Sequence, residues 1–170
     1  MKNQMPFANV FLGREEFLEV NSWKRVFASM FIAVVGFALT FFVVHAFGLR
    51  FHFFQYSIIL NALMFGPFAG LVTGALVSSY NALFIVHNPF IIGGNALLGL
   101  LVALFAKRLK PFFAVLAAYA IQVPYLLVTD LAVGMKLGFV LSIIVVLALE
   151  NAVCAVLAGK SKNPLKKLLG

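Results

Sequence analysis

Polar residues divide this chain into long apolar runs. The runs are Val26–Phe47, Phe51–Phe65, Pro67–Val86, Phe90–Ala106, Pro111–Thr129 and Met135–Ala158. The breaks between them are short: Gly48-Leu49-Arg50, Gly66-Pro67, His87-Asn88-Pro89, Lys107 to Pro111, and Asp130 to Gly134. Glycine, proline and charge are the residues that end helices. A helix needs about 20 apolar residues to cross a bilayer. The pattern therefore predicts an all-α integral membrane protein, a bundle of six transmembrane helices. With connections this short, consecutive helices are expected to be antiparallel neighbours.

Composition narrows the class. Of 170 residues, 64% are hydrophobic and 11% charged, and the mean hydropathy is +1.07. Soluble domains carry about 25% charged residues. Six spans leave no length for a soluble catalytic or nucleotide-binding domain. The single cysteine, Cys154, excludes an internal disulfide.

The net charge of +8 tests the topology. With the N-terminus inside and six runs threaded, Lys2, Arg14, Lys24, Arg25, Lys107, Arg108, Lys110, Lys160, Lys162, Lys166 and Lys167 fall on one side. Only Arg50 and Lys136 fall on the other. Cytoplasmic loops collect Lys and Arg, so both termini are expected in the cytoplasm. Removing the short second span would separate Lys24-Arg25 from the Lys107–Lys110 cluster. The chain then divides into a cytoplasmic or interfacial segment 1–25, a membrane domain 26–159 and a basic cytoplasmic tail 160–170. Within the first segment, Phe7, Val10, Phe11, Phe17 and Leu18 share a helical face beside Arg14, Glu15, Glu16 and Glu19. That pattern suits an interfacial helix or a disordered tail equally.

Polar side chains are unevenly placed along the spans. The outer half and outer loops hold His45, Arg50, His52, Gln55, Tyr80, Asn81, His87, Asn88, Asn95, Gln122, Tyr125, Thr129, Asp130 and Lys136. The inner half holds Asn61, Glu150, Asn151 and Thr73. Polar groups in hydrocarbon are costly and should face the bundle or a wet cavity. The asymmetry points to a solute pocket open to the outside. The alternative is simple tolerance of polar groups near the interface. Asn81, Asn95, Gln122 and Tyr125 are the expected contacts, with Arg50 and His52 in a covering loop. Asp130 and Lys136 would meet a charged group or pair with each other. Glu150 is expected to hydrogen-bond within the bundle, with Asn61 as partner. Pro124 is expected to kink the fifth helix near Gln122.

Small residues form ridges on three runs: Ser29, Ala33, Gly36 and Thr40; Gly70, Gly74 and Ser78; and Ala96, Gly99, Ala103 and Ala106. Such ridges let helices approach closely in a membrane. Internal packing is their default use, and docking of a partner subunit is the alternative.

The stretch "NALMFGPFAGLVTGALVSSYNALFI", followed by "NPFIIGGNALLGLLVALFAKR", resembles the substrate-binding S components of prokaryotic energy-coupling factor (ECF) transporters. The match is best over Asn61–Arg108. The resemblance implies a multi-pass protein of the plasma membrane that binds a small solute, a vitamin or similar micronutrient. It also implies a separate transmembrane T component and ATPase subunits as partners. In that family a small-residue motif on the first helix contacts the T component. The matching residues are Ser29, Ala33 and Gly36, with serine where the family has its first alanine. No cofactor is implied. The metal-transporting members begin Met-His and this chain begins Met1-Lys2, so His45, His52 and His87 are not expected to hold a metal. One competing reading is a rod-shape-determining type of membrane scaffold, which would need no outer pocket. The other is a membrane enzyme, which Asp130 and Glu150 fail to support because the topology puts them on opposite sides of the bilayer centre.

Overall fold

The computed structural model describes residues 23–46 and 49–169. The segment Phe7–Val20, with its expected interfacial helix, lies outside the described residues. In chain order the elements are α1 (Trp23–Leu39), β1 (Val43–Ala46), β2 (Leu49–His52), α2 (Phe54–Phe65), α3 (Pro67–Tyr80), a π-helical turn (Asn81–Ile85), α4 (Phe90–Ala106), α5 (Pro111–Ala132) and α6 (Leu137–Leu169). These are six α-helices and one two-stranded antiparallel hairpin among the described residues. In the hairpin, Val43 stands opposite His52 and Ala46 opposite Leu49.

The hairpin departs from the expected all-helical fold. The first apolar run ends as helix at Leu39, and its last residues turn back as β1. The second run is helical only from Phe54. Pairing satisfies the facing backbone groups of the two strands, and the His52 N–H finds a side-chain acceptor on α6. The stretch Pro67–Ile85, α5 and α6 are long and apolar enough to cross a membrane. At 12 residues α2 is shorter, about 18 Å at the helical rise. α6 runs on through residues 160–169 to Leu169.

α2 is the axis of the bundle. It packs against α1, α3, α4 and α6, and all of its residues except Tyr56 are buried. A helix surrounded by others needs apolar or satisfied side chains on every face. Its sequence, "FQYSIILNALMF", shows no polar stripe. Between α2 and α3 the chain reverses at Gly66 with φ +93°, a conformation glycine reaches without steric cost. Pro67 then opens α3, where its missing N–H has no intrahelical partner to lose.

The small-residue ridges of α3 and α4 face each other. A Cβ added at Gly70 would collide with the Gly99 carbonyl, and one at Gly99 with the Gly70 carbonyl. A Cβ at Gly74 would strike the Asn95 carbonyl. Ser78 donates its hydroxyl to the Gly74 carbonyl at 2.6 Å. These glycines therefore serve internal packing. Gly36 does as well: it is buried, and a Cβ there would stand 2.5 Å from Ser57 Cβ and 2.9 Å from Val77 Cγ1. It belongs to the α1–α2–α3 interior rather than to an outward face. The outward face of α1 is Phe27, Met30, Phe31 and Val34, with Ser29 and Ala33 half-buried beside it. Pro124 lies inside α5, which continues past it to Ala132.

Candidate functional site

The expected outer residues fall into two groups. The first is a polar seam between α4 and α5. Asn88 is fully buried and donates its amide to Asp130 Oδ1 at 2.7 Å. The Asn88 side-chain oxygen accepts the Phe90 backbone N–H at 3.1 Å, which caps the first turn of α4. Tyr125 donates its hydroxyl to the Phe90 carbonyl at 2.9 Å. Gln122 donates from Nε2 to the Gly94 carbonyl at 2.8 Å. Asn95 donates to the Ile91 carbonyl within its own helix. Three side chains of α5 thus hold the start of α4. The close approach requires Gly93 and Gly94, where an added Cβ would meet the Tyr125 ring and hydroxyl.

The seam corrects one pairing. The partner of Asp130 is Asn88, while Lys136 is exposed at the start of α6. Asn81 is buried on the π-helical turn that ends α3. Sequence reasoning named Asn88 as polar but gave it no role, although an Asn directly before Pro and a helix is a known capping signal.

The second group surrounds the hairpin. Glu150, 4% exposed near the middle of α6, accepts the His52 backbone N–H through Oε1 at 2.7 Å. Its expected partner, Asn61, is engaged elsewhere. Asn61 donates to Thr73 Oγ1 at 2.6 Å and to the Ser29 carbonyl at 3.0 Å, tying α2 to α3 and α1. Placing Glu150 in the inner half and His52 in an outer loop therefore fails. The bond joins them, so the middle of α6 and the N-terminal end of α2 lie at one level. Arg50 sits on the same hairpin, its backbone opposite His45.

Elsewhere in the interior and at this contact, several acceptor oxygens have no partner. Glu150 Oε2, Asn151 Oδ1, Gln55 Oε1, Ser57 Oγ and Gln122 Oε1 are all buried with no hydrogen bond. Gln55 and Ser57 lie on the first turns of α2, which packs against α6 where Glu150 and Asn151 sit. A buried polar atom left unmet costs about 1–3 kcal/mol. Several on facing helices are a chemical signature. The group accepts hydrogen bonds, carries one carboxyl and would be satisfied by donors. Sequence reasoning named Gln55 and Asn151 only as polar positions, because partnerlessness is a property of packing. No metal-binding cluster of His, Cys, Asp or Glu exists among the described residues.

No family model matches this sequence, and no curated protein matches it. Among solved structures it is similar to the S component of a bacterial ECF transporter, at 20% identity, with a TM-score of 0.54. The similarity covers 86% of this chain and 95% of that one. Identity that low speaks to architecture, and the agreement extends over nearly the whole of both chains. The chain has the fold of an ECF transporter S component.

Proposed function

We propose that the chain is the high-affinity substrate-binding subunit of an ECF-type, ATP-driven importer for a small micronutrient such as a vitamin. The observation that carries this reading is the S-component fold over 86% of the chain, and the buried, unpartnered acceptors on α2, α5 and α6 supply its candidate contacts. A solute rich in N–H or O–H donors supplies what those oxygens lack. Gln55, Gln122, Glu150 and Asn151 hold it, and the hairpin, with Arg50 and His52, covers it. Tyr125 and Asp130 shape the wall by fixing the start of α4 against α5, Asn81 and Asn95 line it from the end of α3 and from α4, and Lys136 stands at the rim.

In this reading the chain crosses the plasma membrane six times with both termini in the cytoplasm. The hairpin and α2 together make the second crossing, which α2 alone is too short to complete. The side collecting the basic residues is cytoplasmic. The T component docks on α1, where Ser29 and Ala33 border the exposed face of Phe27, Met30, Phe31 and Val34. The chain itself performs no chemistry, and the ATPase subunits supply the energy. A tagged chain purified from its host membrane in mild detergent should carry a T component and ATPases with it. Ala33→Leu should lower their yield while leaving the isolated chain folded. Recovery of the chain with no such partners would contradict the reading.

A further inference from the structure

A second surface runs toward the basic end of α5 and α6. Phe112, Ala152, Val153, Val156 and Leu157 line an open, wholly apolar groove between the two helices. Val153, Val156 and Leu157 repeat at helical spacing, and the next residue on that stripe is the exposed Lys160. The helices meet at this end, where a Cβ added at Gly159 would stand 3.6 Å from Pro111 Cβ. Lys110 precedes Pro111 and Lys160 follows Gly159, so the two lysines flank that contact. Lys107 and Arg108 are exposed in the same loop.

Lys107, Arg108, Lys110 and Lys160 are all exposed at this end. The only acids among the described residues are Asp130 and Glu150, buried and bonded to Asn88 and His52. An apolar slot open to the bilayer, ending in clustered cations, matches an acyl chain that ends in an anionic headgroup. We propose that this groove is a binding site for one anionic phospholipid, with its acyl chain against Phe112, Val153, Val156 and Leu157 and its phosphate at Lys110 and Lys160. Juxtamembrane cations attract anionic lipid by about 1 kcal/mol each, roughly fivefold per charge. The lipid would pin the ends of α5 and α6 at the membrane surface, independently of the solute site.

The test uses tryptophan quenching. The sole tryptophan, Trp23, is replaced by Phe, and Phe112→Trp places a reporter in the groove. The protein is reconstituted in phosphatidylcholine vesicles containing a minor fraction of brominated phosphatidylglycerol or brominated phosphatidylcholine. Phe112→Trp should be quenched several-fold more by the anionic lipid. A Val145→Trp control, exposed on α6 away from Lys136 and from the basic cluster, should be quenched equally by both. Adding Lys110→Gln and Lys160→Gln should lower the preference about fivefold per charge. Both lysines are exposed, so folding should persist, and unchanged quenching of the control would confirm it. Equal quenching by the two lipids at Phe112→Trp overturns the proposal. So does a preference that survives both glutamines. Quenching by neither lipid would mean that protein covers the groove, and would overturn it as well.

Discussion

Glu150 and His52 are 98 positions apart, and the carboxylate of one accepts the backbone N–H of the other at 2.7 Å. This bond fastens the hairpin to α6. A buried donor or acceptor left without its partner costs about 1–3 kcal/mol, so the bond matters most where water is absent. It also leaves the second carboxylate oxygen facing the interior without a partner. One residue thus ties the hairpin down and keeps a second, unpartnered oxygen in the interior.

Glu150→Ala should release the hairpin and lower stability by about 1–3 kcal/mol. Glu150→Gln retains an acceptor oxygen and should lose less. Thermal unfolding in detergent gives the ranking, and hydrogen exchange at the His52 amide locates the change. Equal protection of that amide in wild type and Glu150→Ala would show that the bond does not hold the hairpin.

Gly99 and Gly138 offer a contrast between two helical glycines. A Cβ at Gly99 collides with the backbone of Gly70, whereas at Gly138 it meets nothing within 4 Å. Gly99→Ala should destabilise by about 1–3 kcal/mol through overpacking. Gly138→Ala should be neutral, or stabilising by up to about 1 kcal/mol from helix propensity. Similar melting temperatures for the two variants would refute the backbone contact between α3 and α4.

Asn88→Ala removes the donor to Asp130 and the cap on Phe90 together. The loss should be about 1.5–3 kcal/mol, since a buried carboxyl is left without its donor. Lys136→Ala, at an exposed position, should change stability by no more than about 0.5 kcal/mol. The reverse order would restore the Asp130–Lys136 pair that sequence alone suggested.

Much of the helical frame was legible because its signals are local. Gly66-Pro67 marks a turn, Pro111 opens a helix, and glycines four apart announce close packing. The hairpin was not legible. "VVHA" continues an apolar run, and hydrophobicity does not tell a strand from the end of a helix. That miss produced the next one. Position along the sixth run puts Glu150 in the inner half and the loop puts His52 outside, and neither count foresees a hairpin that folds back onto α6. Gln122 and Tyr125 were found as polar positions, but their partners are the carbonyls of Gly94 and Phe90, which every residue carries and no sequence pattern marks. The docking ridge on α1 was read from spacing, and Gly36 proved to face inward because α2 offers Ser57 at that level.

The most direct test of a solute site under the hairpin is native mass spectrometry of the gently purified protein. Wild type should carry one small molecule in stoichiometric amount. The combined Gln55→Ala, Gln122→Ala and Asn151→Ala variant should be folded and lack it, because each change removes an acceptor and costs about 1–3 kcal/mol of binding. A wild-type protein that is always empty, or a variant that keeps the bound mass, would contradict the account.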